Sequence, residues 1–361
     1  MNCRSVLTPV TLTFAILGSA LTIHAQVPGS DPYDVVDHWM EPFAQEGFAW
    51  GSQPGVFVES LDRVFVIQRG EITLPDPLPD NFDGYVGSIG MSALGATDER
   101  VFRNCIFIVD SEGRLLESWP QWDYLFEGTN GPHKIRISPY DPERRVWVVN
   151  ERRHQIHVFS NDGEELVMEL GEAFVLREDE SHFGRPQDLA FLPDGSVLVA
   201  DGLDNSRIVK FDRQGNFVLS WGTRGDQDGQ FNGVHAVATD RNGRVYVADR
   251  NNDRVQVFDE DGNHLDTWGG LSFPNDVLVT DDYVWVADNQ PPQMVKFDPD
   301  GNRLYSWMLD AGPHRFGEVH EMAIDSEGSW YGADNVLGRT QKFVPKRDAD
   351  PLLLIGGTAP R

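Results

Sequence analysis

Three histidines sit in near-equivalent contexts, Gly131-Pro132-His133, Gly233-Val234-His235 and Glu318-Val319-His320. Each opens a short apolar run, and the corresponding places elsewhere in the chain are Gly55, Gln187 and Asn275, in Gln53-Pro54-Gly55, Arg185-Pro186-Gln187 and Phe273-Pro274-Asn275. A neutral imidazole is a nitrogen ligand for a transition metal. Three of them meeting at one point, with a fourth position open, form the donor set of a catalytic zinc site. A single histidine at a strand entry more often bonds a neighbouring carbonyl, and His24, His38, His154, His157, His182, His264 and His314 are read in that way. Regular alternation separates the trio from these, because histidine occupies every second aligned place.

What aligns those places is an internal repeat. Val197-Leu198-Val199-Ala200-Asp201, Val245-Tyr246-Val247-Ala248-Asp249 and Val284-Trp285-Val286-Ala287-Asp288 are copies of one strand, with weaker copies at 146–150 and 330–334. Each is followed by a second strand ending in Phe159, Phe211, Phe258, Phe297 or Phe343, spaced 52, 47, 39 and 46 residues apart. That period suits four short antiparallel strands per unit. A further unit starts at Val56, with Arg63-Val64-Phe65-Val66-Ile67 as its second strand and 105–109 as its third. The fold class is therefore all-β, a six-bladed β-propeller, and the residues resemble those of NHL-repeat propellers. One four-stranded blade cannot bury both faces alone, so blades stack and the ring closes. Either 33–39 or 352–355 supplies the closing strand. The histidines fall in blades two, four and six, about 120° apart around the central channel, so their rings can meet on the axis.

Strand direction places the entry to each innermost strand and the exit of each second strand on one face of the disc. The same mouth receives an insertion at 70–103 in the first blade, whose Pro75, Pro77, Pro79, Gly84, Gly87, Gly90 and Gly95 argue against regular structure. It is either a lid or a solvated excursion. Arg69 and Arg250 begin two of the mouth loops, and a planar guanidinium there can grip a substrate carboxylate with two parallel hydrogen bonds. The recurrent aspartates that close the second strands read as structural, satisfying backbone donors at strand ends.

Composition bounds the rest. With 30 Lys and Arg against 57 Asp and Glu in 361 residues, the net charge of −27 excludes nucleic acid and anionic membrane surfaces as partners. Residues 1–25 read as a signal peptide, with Arg4, an apolar stretch over 6–23 and the small residue Ala25 at the cleavage point. The mature chain, 26–361, is then a single propeller, exported to the periplasm or the medium, without a membrane anchor and monomeric. Of its 2 cysteines only Cys105 remains after cleavage, so no internal disulfide is possible.

Across all six blades these residues resemble the peptidyl-α-hydroxyglycine α-amidating lyases. The most specific segments are Pro132-His133, Gln68-Arg69-Gly70, Val247-Ala248-Asp249-Arg250 and the run from Asp201-Gly202-Leu203-Asp204-Asn205 to Phe211. The resemblance implies that His133, His235 and His320 hold a catalytic zinc and that Arg69 engages the substrate carboxylate. It also implies a structural calcium in the channel, held by the carbonyls of Val56 and Ile135 and by Glu321. Two departures stand out. The family has Asp where Glu321 stands, and it places a catalytic tyrosine where this chain has Leu203, in a loop one residue longer than its counterparts. Leucine moves no proton, so Tyr85, Glu151 or zinc-bound hydroxide must serve as base, or activity is altered or lost. The first expectation is an exported zinc-dependent lyase that cleaves the C–N bond of an N-acyl-α-hydroxyglycine to an amide and glyoxylate. The alternative is a catalytically silent NHL-repeat propeller serving as a binding or scaffold module. A lactonase or streptogramin-type lyase fits less well, since those families place other ligands where histidine stands here.

Overall fold

The computed structural model describes residues 31–82, 84 and 100–356. The export segment and Tyr85 lie outside them, as does most of the 70–103 insertion. Six four-stranded antiparallel sheets form the blades. Blade 1 is Gly55–Ser60, Arg63–Ile67, Ile106–Val109 and Leu115–Ser118; blade 2 is Lys134–Ile137, Val146–Asn150, Gln155–Phe159 and Leu166–Leu170. Blade 3 runs Pro186–Phe191, Val197–Asp201, Arg207–Phe211 and Phe217–Trp221, and blade 4 runs Val234–Thr239, Val245–Asp249, Arg254–Phe258 and His264–Trp268. Blade 5 is Pro274–Val279, Val284–Asn289, Pro292–Phe297 and Arg303–Met308. Blade 6 takes Glu321–Ile324, Trp330–Asp334 and Arg339–Pro345 from the C-terminal end and its outermost strand, Tyr33–Val35, from the other end of the chain.

The closing strand is thus the N-terminal candidate. The other candidate falls largely in the short 3-10 turn Pro351–Leu353. Leu354 and Ile355 pack into the core beside Tyr33, whose hydroxyl accepts a hydrogen bond from the Ile355 amide at 2.7 Å.

Second strands such as Val197–Asp201 are buried along their whole length, because neighbouring blades cover both faces, and this is why they read as unbroken apolar runs. Outer strands alternate, as in Phe217–Trp221. The tryptophans that close or follow outer strands lock one blade to the next. Trp119, Trp221 and Trp268 lie under the turn glycines Gly163, Gly262 and Gly301 of the following blade, where a Cβ would collide with the indole. The insertion holds more order than its prolines suggest: Glu71–Thr73 and Arg100–Val101 pair with each other, and Glu71–Thr73 also pairs with Phe48–Trp50, giving a small three-stranded sheet. No helix among the described residues is long and apolar enough to cross a membrane.

Candidate metal centre and its mouth

The innermost strands line the channel, and the pairing register of three of them slips at Pro186/Asp188, Val234/Ala236 and Pro274/Asp276. A bulge sends two successive side chains to the same side. Gln187, His235 and Asn275 are the extra residues, and the aspartates after two of them, Asp188 and Asp276, meet the channel cations Lys134 and Arg136. His133 and His320 occupy the equivalent places just ahead of Lys134–Ile137 and Glu321–Ile324, their amides bonded to the carbonyls of Val149 (2.8 Å) and Ala333 (2.9 Å). The aspartates ending the second strands fix the approach. Asp201, Asp249, Asp288 and Asp334 accept from the amides of Gly184, Asn232, Ser272 and Gly317 at 2.7, 2.7, 2.7 and 2.8 Å, each in the loop that delivers its own blade's aligned residue.

The three histidines converge. Their candidate ligand atoms lie within 4.8 Å of one another, and ring centroids are 4.7, 5.0 and 5.4 Å apart. Each Nδ1 lies 2.7 Å from a carbonyl of the next blade: His133 with Gln187, His235 with Asn275, His320 with Pro54. A carbonyl only accepts, so Nδ1 carries the proton and donates, and the lone pair stays on Nε2, which faces the axis. Burial, the largest influence, lowers His133 to about 3 and holds His235 and His320 well below the usual 6.5. All three are neutral at pH 7. Three buried lone pairs pointed at one another with no donor between them repel, and a divalent cation is the group that this donor set accepts.

Around this centre the mouth carries charge of both signs. Glu151 is buried at the start of the loop after Val146–Asn150, and its Oε1 takes a 2.7 Å hydrogen bond from Arg185 Nε and a second, close one from Arg185 Nη2. Its Oε2 faces His133 Nε2 at 3.9 Å and Arg69 Nη2 at 4.0 Å. Burial opposes ionisation of Glu151, but His133, Arg69 and Arg185 together hold its carboxyl down to about 2. Arg69 is tethered by Nε to the Pro132 carbonyl (3.3 Å), directly beside the His133 loop. Arg250 lies over Phe273 at 4.6 Å from the ring centroid, and its Nε is buried without a hydrogen-bond partner. Glu318 accepts from Asn275 Nδ2 (3.0 Å) and Asn335 Nδ2 (2.8 Å). The described end of the insertion belongs here too, since Arg100 donates to the carbonyls of Arg69 (3.4 Å) and Asn130 (3.3 Å).

Arg185 and Phe273 hold the left-handed backbone, φ 63° and 69°, that Gly131 and Gly233 supply in blades 2 and 4. Such a conformation costs a residue with a Cβ about 1–2 kcal/mol, and both of these side chains are engaged at the mouth. Leu203 stands half-buried on the loop where the resemblance implied a tyrosine, with its amide toward the Arg185 carbonyl at 3.5 Å. Gly202 before it passes so close to the Val234 carbonyl that no Cβ fits.

The residues expected to hold calcium meet differently. Val56 and Ile135 turn their amides to Glu321 Oε2, at 3.0 and 3.4 Å, and Arg136 Nη1 closes on Oε1. Oε2 takes both amides, while Oε1 has no hydrogen bond and is met by the Arg136 guanidinium as an ion pair, so a cation already stands where calcium would and this set does not fit a calcium ion. The sequence had not singled out Arg185, Glu318, Arg136 or the carbonyls that orient the histidines. Only Arg185 carried a signal, being the one cation at the head of an aligned segment.

The chain matches the NHL repeat at residues 183–211 and 231–258, which lie within blades 3 and 4. A probable peptidyl-alpha-hydroxyglycine alpha-amidating lyase of Caenorhabditis elegans is 40% identical over 131 residues, 35% of this chain and 36% of the relative. Peptidyl-glycine alpha-amidating monooxygenase of Mus musculus is 36% identical over 253 residues, 65% of this chain and 24% of the relative. These alignments thus cover only about a third or less of the relatives' own length. Among solved structures, a gluconolactonase of Xanthomonas campestris superposes with a TM-score of 0.53 at 13% identity, covering 89% of this chain and 100% of that one, which is a likeness of fold.

Proposed function

We propose that this NHL-repeat propeller is an exported metal-dependent lyase that cleaves an N-acyl-α-hydroxyglycine to an amide and glyoxylate. The observation that carries the reading is the convergence of three buried, neutral Nε2 atoms at one point. His133, His235 and His320 would hold the ion, zinc by the chemistry of the donors, and its contribution is Lewis-acid stabilisation of negative charge on the substrate's hydroxyl oxygen. Arg69 and Arg250 bind the substrate carboxylate. Arg250 suits this role because its Nε has no partner of its own, while Phe273 fixes its plane. Arg185 occupies one oxygen of Glu151 and leaves Oε2 toward His133 Nε2. Oε2 takes the hydroxyl proton as the carbon–oxygen double bond forms and the C–N bond breaks, then returns that proton to the amide nitrogen. A carboxyl held near 2 is a weak base, so Glu151 suits a hydroxyl whose negative charge a bound ion would stabilise.

Replacing His133, His235 or His320 with Ala should abolish bound metal and turnover of α-hydroxyhippurate. Full zinc occupancy in all three variants refutes the site. One observation favours a second reading, a silent binding module: Leu203, where the resemblance implied a tyrosine, cannot transfer a proton. Stoichiometric zinc with no turnover, even after Leu203→Tyr, would select it.

A further inference from the structure

Beneath the histidines the channel holds a second tier of buried ionic side chains that the proposed chemistry does not use. Lys134 and Arg136 from blade 2 meet Asp188 of blade 3, Asp276 of blade 5 and Glu321 of blade 6. All but Arg136 are essentially inaccessible. Lys134 Nζ bonds Asp276 Oδ1 at 2.8 Å and also the carbonyl of His320 itself. Arg136 Nη2 spans Asp188 Oδ2 (3.1 Å) and Asp276 Oδ1 (3.2 Å), while Nη1 pairs with Glu321. Strand amides fill the remaining carboxylate positions: Leu189 and Val237 on Asp188 at 2.8 and 3.3 Å, Met322 on Asp276 at 2.7 Å, Val56 and Ile135 on Glu321.

We propose that the Arg136 guanidinium, with Lys134 beside it, is a built-in cation that takes the place of a structural calcium in the channel, so that the chain binds one metal ion, at the histidines, and no second. Three carboxylates drawn from three blades need positive charge at their centre, or their mutual repulsion would force the blades apart. A calcium ion would supply it with oxygen ligands. Here a guanidinium supplies it with directed N–H donors, and the Lys134 bond to the His320 carbonyl ties this tier to the metal-binding one. The inference concerns calcium alone and stands whether or not the lyase reading holds.

Protein prepared with zinc as the sole divalent ion is titrated with calcium while bound radiocalcium and Tm are followed. Expected are no bound calcium and an unchanged Tm. One calcium per chain, or a Tm that rises with calcium, overturns the proposal. Arg136→Ser removes the cation from Asp188 and Glu321 and leaves only Lys134, on Asp276, so a folded variant should bind calcium and gain several degrees in Tm on its addition. A folded variant indifferent to calcium also overturns it. If the variant does not fold, the wild-type titration still decides.

Discussion

Truncating Arg250 to Ala should remove a substrate contact while leaving the folded protein almost untouched. The guanidinium lies over Phe273 at 4.6 Å, a cation–π contact of about 0.5–1 kcal/mol at a partly exposed site. Against this, its Nε is buried without a partner, a standing cost of about 1–3 kcal/mol that the truncation relieves. The two offset, so Tm should stay within a few degrees of wild type. The bound substrate loses more. A hydrogen bond to a charged group contributes about 1.5–3 kcal/mol, and each 1.4 kcal/mol is about tenfold, so kcat/KM for α-hydroxyhippurate should fall roughly 10- to 150-fold. The corresponding carboxamide has no charge to meet and should lose little. Arg250→Lys should recover only part of the loss, because an ammonium lacks the planar fork. Equal losses for acid and amide, or no loss at all, would refute the assignment of Arg250 to the carboxylate.

Two further outcomes follow from the same centre. The histidines are depressed in the folded state, His133 to about 3, so the unfolded chain binds more protons at acid pH. Their contribution to stability is complete above about 6.5 and is lost as pH falls below it, at up to about 1.4 kcal/mol per pH unit for each ring. Denaturant unfolding of the metal-free protein between about pH 7 and 5 should show this slope, and His133→Ala should remove about one proton's share of it. A slope that His133→Ala leaves unchanged contradicts the burial argument. Glu151→Gln keeps an acceptor for Arg185 but cannot take a proton, so kcat should drop by about 10²–10⁴ with KM and zinc content preserved. Unaltered kcat would transfer the proton step to another group.

Much of this molecule could be read from local pattern. Continuous apolar strands ending in Asp, and the Phe that ends the third strand in blades 2 to 5, mark the blades because a strand covered on both faces must be apolar throughout. The alternation of His133, His235 and His320 with Gln187 and Asn275 could be read because a closed ring converts sequence period into angle. What the sequence hid depends on register. The slips at Asp188 and Asp276 bring these two carboxylates together with Lys134, Arg136 and Glu321 in one tier, although nothing in their spacing says so. The calcium expectation rested on likeness at Val56, Ile135 and Glu321 and could not foresee Arg136 among them. Gln187, Asn275 and Pro54 act through their carbonyls, which every residue has. Glu71–Thr73 and Arg100–Val101 were masked by the prolines between them and are ordered by a partner strand, Phe48–Trp50, that precedes the first blade.

Ring closure and metal binding are one problem at the seam between blades 6 and 1. His320 lies in blade 6, but its Nδ1 is oriented by the Pro54 carbonyl of blade 1, and Glu321 reaches across the same seam to the Val56 amide. The seam is closed by three strand residues, Tyr33–Val35, paired with Arg339–Pro345. Tyr33 anchors them: it is 2% exposed, packs edge-on against Trp330 at 6.3 Å and accepts from the Ile355 amide. Tyr33→Ala should cost about 3–5 kcal/mol through the cavity it leaves, with the orphaned Ile355 amide adding to the loss. If the site needs a closed seam, the open form binds zinc weakly, and by linkage zinc must favour closure to the same extent. Zinc should therefore slow hydrogen exchange at the Val36 amide, which bonds the Lys342 carbonyl at the end of the closing strand, and should restore part of the stability that Tyr33→Ala removes. Exchange at Val36 that is indifferent to zinc would mean that the histidines are held by blade packing alone, and that the short strand at the edge of blade 6 contributes nothing to the geometry of the metal centre.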